Sequence, residues 1–184
     1  MSKSIIISGF GGQGVLFLGN VLAHAAMIEK KYTTWFPAYG AEMRGGTANC
    51  TVMIDDEEIG CPNTECPDIV VALNSQSLEK FEPKVKKGGF LIINSSFAKS
   101  NSYREDVHYI EVPATELAVK INRPKVANIV ILGAFIEKLK LLKPSSIQKA
   151  FEKMLSGGKE HLLGMNLEAF ETGSEFISKS LCSL

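Results

Sequence analysis

The chain has 184 residues, 45% hydrophobic and 22% charged, which is ordinary for a globular protein able to bury one sizeable core. Twenty basic residues balance twenty acidic ones. That excludes the excess positive charge of a nucleic-acid footprint, and no apolar run reaches the roughly 18 residues that span a bilayer.

In chain order, Met1 to Ile7 has the lysine and apolar run that open a secretory signal, but the run breaks at Ser8-Gly9. Ser4 to Ser8 is therefore expected to be a buried strand, and the chain cytoplasmic. Gly9-Phe10-Gly11-Gly12-Gln13-Gly14 follows without a break, and Val15, Leu18, Leu22, Ala25 and Ala26 then recur at helical spacing to about Glu29. Tyr32 to Phe36 reads as a strand closed by Pro37, residues 37–46 as a loop, and Thr47 to Ile54 as a strand ending in the acidic turn Asp55 to Glu58. Ile59 to Pro67 is irregular. Further strands are expected at Ile69 to Leu73, Phe90 to Ile93 and Val107 to Val112. A short helix capped by Ser75 should run through Phe81, and another should follow Pro113 to about Val119. The last third carries only helical patterns: Asn128 to Leu142, Ser145 to Leu155, and Lys159 to about Ser180.

Strands alternating with helices imply a mainly parallel sheet with helices on both faces, an α/β architecture with a helical C-terminal part. No repeat or long linker divides the sequence, so residues 1–184 are expected to form a single domain.

The first glycine cluster contains G-x-G-x-x-G at Gly9, Gly11 and Gly14, between a strand and a helix, the context that makes the sheet Rossmann-like. Such a loop lets another group approach the backbone, and the N–H groups at a helix start can hold an anion. A dinucleotide site would also need an acidic residue at the end of the second strand, for the ribose hydroxyl. Here that strand ends in Trp35-Phe36-Pro37. Three readings stay open: a nicotinamide dinucleotide with its acid supplied elsewhere, a loop that only packs helix on strand, and a contact with a partner chain or its cofactor.

The second cluster, Tyr39-Gly40-Ala41-Glu42-Met43-Arg44-Gly45-Gly46, joins an aromatic ring, an acid and a base in a glycine-bounded loop. Arg44 could hold a carboxylate or phosphate with two parallel hydrogen bonds, or could pair with Glu42. Together the two clusters resemble the gamma subunit, or gamma domain, of 2-oxoacid:ferredoxin oxidoreductases. Ile59, Pro62, Pro67-Asp68, Ala127-Asn128 and Leu132-Gly133 also match that family's pattern. The resemblance covers nearly the whole chain and is weakest after about Gly157. Many relatives have Ser-Pro where this chain has Cys61-Pro62.

The resemblance implies a subunit that supports oxidative decarboxylation of a 2-oxoacid to acyl-CoA with reduction of ferredoxin, and that is inactive alone. Thiamine diphosphate with Mg, iron–sulfur clusters and coenzyme A would act in the assembled complex, with none of them bound by this chain alone. The partners implied are alpha, beta and delta subunits or domains, and ferredoxin through the complex. Gly9, Gly11, Gly12 and Gly14 would face the neighbouring subunit, and Tyr39, Glu42 and Arg44, with Gly45 and Gly46, would make the specific contacts near coenzyme A or thiamine diphosphate. None of these residues is expected to be catalytic. A free-standing NAD(P)-binding dehydrogenase and a pure scaffold are the competing expectations. Isolated, the chain is expected to self-associate through the surface meant for its partners.

Other groups carry little. His24, His108 and His161 share no spacing, and Cys61 and Cys66 lack the further ligands of a zinc or iron–sulfur site. A P-loop and a G-x-S-x-G elbow are both absent.

Overall fold

The computed structural model describes residues 2–39, 47–101 and 103–181. Six strands form one sheet: β1 (Lys3–Phe10), β2 (Tyr32–Tyr39), β3 (Thr47–Asp55), β4 (Ile69–Ala72), β5 (Gly89–Asn94) and β6 (Val107–Val112), in the order β2-β3-β1-β4-β5-β6. β1, β4, β5 and β6 run parallel. β3 enters antiparallel between β1 and β2, so β2 again points the same way as β1. The mainly parallel α/β sheet is as the sequence implies; the inserted antiparallel β3 is an addition to that reading.

β1 is buried on both faces because helices cover both. Ile5 and Ile7 face α1 (Val15–Ile28), while Ile6 joins Leu78 and Phe81 of α2 (Ser75–Phe81) on the other side. α3 (Ala114–Lys120), α4 (Ala127–Leu139), α5 (Pro144–Met154) and α6 (Leu163–Leu181) all gather on the α1 side. Phe151 of α5 is fully buried and bridges two neighbours, with ring centroids 6.3 Å from Phe17 of α1 and 6.5 Å from Phe170 of α6. α4 and α6 cross at Gly133 and Gly173, where a Cβ on either would run into the partner helix's backbone, at Phe170 O and Val130 O respectively.

Three local expectations change. Pro37 does not end its strand; it pairs with Cys50 within β2, a sheet edge, where a missing N–H need not break a ladder on both sides. Asn74, not Ser75, caps α2: its extended backbone lets Oδ1 accept from Ser77 N at 2.9 Å. The fourth helix stops at Leu139 because Lys140 turns left-handed at φ 50°.

Candidate functional site

The glycine-rich loop leaves the C-terminal end of β1, where the chain crosses to opposite faces of the sheet: α1 after β1 goes to one side, α2 after β4 to the other. In open α/β sheets the crevice at such a switch point is where ligands settle.

Gln13 closes the loop. Its N–H donates to Phe10 O at 3.1 Å, and its side-chain Oε1 accepts from Phe10 N at 2.7 Å and from Asn74 Nδ2 at 2.9 Å. Its amide nitrogen reaches Leu73 O at 3.4 Å. Asn74 thus works twice, capping α2 with its oxygen and holding Gln13 with its nitrogen. On the other flank, Asn128 of α4 donates from Nδ2 to Gly14 O at 3.2 Å. Gly14 has φ 74°, and a Cβ there would collide with that Asn128 amide. A glycine is required by the backbone angle and by the close approach together. Gly14 precedes α1 with no side-chain cap, so the helix's first N–H groups look into the loop.

Beside the loop, Phe10, Gln13, Asn74, Ser75, Gln76 and Phe97 line a cavity of about 390 Å³. It shares Ser75 and Phe97 with a larger cleft of about 740 Å³ that passes the end of β5, where Ser95, Ser96, Lys99 and Ser100 contribute. Phe97 is 56% exposed. Among the described residues, no titratable side chain lines the smaller cavity. It can orient a planar or polar group through amides, a hydroxyl and two rings, whereas moving a proton there at neutral pH would need a group from elsewhere.

Tyr39 ends β2; its side chain and residues 40–46, with Glu42, Arg44, Gly45 and Gly46, lie outside the described residues. The flanking strands fix where the segment starts and ends: Phe10 pairs with Thr47, and Ala48 with Tyr39. Both motifs therefore leave the sheet at the same end of its strands. Gly9, Gly11, Gly12 and Gly14 lie in or beside the β1–α1 turn, with Gly11 and Gly12 exposed. Gln13, Asn74 and Asn128, which hold this turn, are the residues that sequence reasoning missed. Asn128 stood only as a match to a family pattern, Gln13 only as a member of the glycine cluster with no role of its own, and nothing local marked Asn74.

The dinucleotide reading meets an obstacle in topology. In that motif the strand after the first helix lies next to β1 and offers the ribose its acid. Here β3 separates β2 from β1, and β2 carries no acidic residue. The histidines sit on separate elements: His24 in α1, with Nδ1 3.1 Å from Asn20 O; His108 on β6, stacked on Phe90; and His161 in a short 3-10 turn at Glu160–Leu162. Among the described residues no three His, Cys, Asp or Glu side chains gather into a metal site. Cys61 and Cys66 are exposed free thiols, whereas Cys50 is buried against Trp35 and Gly19, and burial pushes its thiol up to about 12.

Comparison with known proteins gives a family. Residues 4–176 match the model of the pyruvate ferredoxin/flavodoxin oxidoreductase family. Ketoisovalerate oxidoreductase subunit VorA of Methanothermobacter thermautotrophicus is 41% identical over 95% of this chain, which spans 36% of VorA's length. The 2-oxoglutarate synthase subunit KorC of Methanocaldococcus jannaschii is 36% identical, over 98% of this chain and 96% of its own. The crystal structure of a keto/oxoacid ferredoxin oxidoreductase gamma subunit from Geobacter sulfurreducens superposes with a TM-score of 0.81 at 27% identity, covering 96% of this chain and 99% of that one.

Proposed function

The chain belongs to the pyruvate ferredoxin/flavodoxin oxidoreductase family, and on that premise we propose that it is the gamma subunit of a multisubunit 2-oxoacid:ferredoxin oxidoreductase. The complex would decarboxylate a 2-oxoacid oxidatively to its acyl-CoA and pass the electrons to ferredoxin. The observation that carries this reading is the match along residues 4–176, supported by relatives of the same length as this chain. The names of the relatives favour a branched-chain 2-oxoacid or 2-oxoglutarate as substrate. A cytoplasmic location fits, and no described helix is long and apolar enough to cross a membrane.

In this reading thiamine diphosphate with Mg, iron–sulfur clusters and coenzyme A supply the chemistry in the assembled complex, on alpha, beta and delta partners. This chain's part is positioning. Gly9, Gly11, Gly12 and Gly14 present backbone to the neighbouring subunit or its cofactor, held in shape by Gln13, Asn74 and Asn128. Tyr39, Glu42, Arg44, Gly45 and Gly46, from the end of β2 and the connection to β3, would complete the contact. The lining that Phe10, Gln13, Asn74, Ser75, Gln76 and Phe97 give beside the loop is uncharged, which suits a chain that orients a group made reactive elsewhere.

The test is to purify the tagged chain from its own host and assay the eluate for dye reduction that depends on both a 2-oxoacid and coenzyme A. Co-purifying chains that carry thiamine diphosphate and iron–sulfur clusters, with activity, support the reading and identify the oxoacid. A lone chain that binds NAD overturns it. Within an active complex, Arg44→Ala separates a contact residue from a scaffold: a scaffold keeps its turnover.

A further inference from the structure

At the end of the strands opposite the glycine-rich loop, the starts of β1, β4 and β5 meet the last turn of α4 around a cavity of about 440 Å³. β1 separates the two places by its own length, roughly 23 Å for eight residues. The cavity has an apolar floor of Ile69, Phe90, Leu139 and Leu141, and its volume falls in the range of small-molecule sites. Its rim carries Lys3, Lys86, Lys87 and Lys138 against a single carboxylate, Asp68.

That carboxylate is already committed. It accepts from Ser4 N at 3.0 Å, from the Ser4 hydroxyl at 2.8 Å and from Lys86 Nζ at 3.0 Å. Lys86 is thereby neutralised, and among the described residues no carboxylate lies within ion-pair distance of Lys3, Lys87 or Lys138. Asp106, whose charge Lys87 senses at longer range, is gripped by both arms of Arg104 at 3.0 and 2.9 Å. The backbone offers an anion little, since Gly88, Gly89 and Phe90 donate their N–H groups to Asp106 O, Lys86 O and Asp68 O. Three ammonium groups with no ion-pair partner among the described residues, around one apolar floor, are a local excess in a chain of zero net charge.

We propose that this cavity binds a small amphiphilic anion, with its acid group at the lysine rim and an aromatic or branched aliphatic body on the floor. Lysine acts as a compact point charge without the fixed fork of arginine, so the rim selects charge and leaves the geometry of the acid group open. The floor supplies the rest of the selectivity by taking apolar surface out of water. The site is independent of the oxidoreductase reading, since no residue of the glycine-rich loop lines it.

The test uses the full chain, labelled with nitrogen-15 and titrated with naphthalene-1-sulfonate. 1-Naphthalenemethanol and inorganic sulfate serve as the two halves of the probe. The expected result is saturable amide shifts centred on Ile69, Gly88, Gly89, Phe90, Leu139 and Leu141, with the alcohol binding about tenfold more weakly and sulfate weaker still. The Lys87→Gln/Lys138→Gln double variant should weaken the sulfonate about tenfold and leave the alcohol and the melting temperature unchanged. Both lysines are exposed, so the variant should fold. Shifts centred elsewhere, an alcohol as tight as the sulfonate, sulfate as tight as the sulfonate, or a double variant that binds like the parent would each overturn the proposal.

Discussion

Gln13 does with one side-chain oxygen what a loop rich in glycine cannot do for itself: it gives Phe10 N a fixed partner and ties the turn to Asn74. Gln13→Ala removes that acceptor, leaving the Phe10 N–H and one Asn74 donor unpaired. Its expected cost is about 1–2 kcal/mol of stability, read as a lower urea midpoint, with a several-fold loss of turnover in the assembled complex. Gln13→Glu keeps an acceptor at the same place and should recover most of the stability. The glycine pattern was legible because it is local: strand, glycines and helix adjoin in thirty residues. The clamp was not. Its partners Asn74 and Asn128 lie 61 and 114 residues from the atoms they hold, and an asparagine in a sequence does not announce which distant amide it will meet. Ser75 looked like the cap by composition, yet the residue before it has the extended backbone that capping needs.

Among elements, the starts of β1 and β4 are pinned by Ser4, the second residue of β1, and Asp68, just before β4, which exchange three hydrogen bonds. Burial raises the Asp68 carboxyl, but the Ser4 N–H and hydroxyl and the Lys86 ammonium together outweigh it and hold the group below the usual carboxylate range. A folded value below the unfolded one means that the stabilisation is full at neutral pH and is lost as acidification passes from the unfolded value down through the folded one. Asp68→Asn should therefore cost about 1 kcal/mol at neutral pH, discounted for solvent screening, and less in acid, where the parent has lost its own advantage; urea midpoints at the two pH values check this. The α4–α6 crossing makes a second demand. Gly133→Ala places a methyl against the backbone carbonyl of Phe170, so the helices must separate, at an expected cost of about 3 kcal/mol in chemical denaturation. The apolar periodicity foretold both helices, but a glycine within a helical run does not reveal whether it is a close crossing or merely tolerated.

The whole molecule is lopsided. Among the described residues, one sheet face carries α1, α3, α4, α5 and α6, and the other carries α2 with the short turn that follows it. β2 forms an edge with Tyr32 48% and Phe36 50% exposed and no charged side chain between Tyr32 and Tyr39. Pro37 interrupts the hydrogen-bonding of this edge, but no charge blunts it, and such edges pair with other chains. The isolated chain should show concentration-dependent self-association by light scattering, and Phe36→Lys should shift it towards monomer. An unchanged mass for the variant would place the contact elsewhere. The parallel part of the sheet was readable from the alternation of strands and helices. The antiparallel β3 was missed although the sequence held the clue: the connection through residues 40–46 is too short for a parallel crossover.

The central position of β1 also sets the order in which the sheet can assemble. Ile5 pairs with Val52 on one side and with Ile69 on the other, so the middle strand closes two long loops before either pairing repays it. β2 and β3 are neighbours in sequence and can zip together first, leaving an incomplete ribbon that waits for β1 to dock. Folding governed by such distant pairings belongs on the millisecond-to-second scale. During synthesis, β1 leaves the ribosome well before either of its sheet neighbours exists. Its Ile5-Ile6-Ile7 run, buried on both faces once folded, is then an exposed apolar segment that a chaperone or a nascent partner chain can seize.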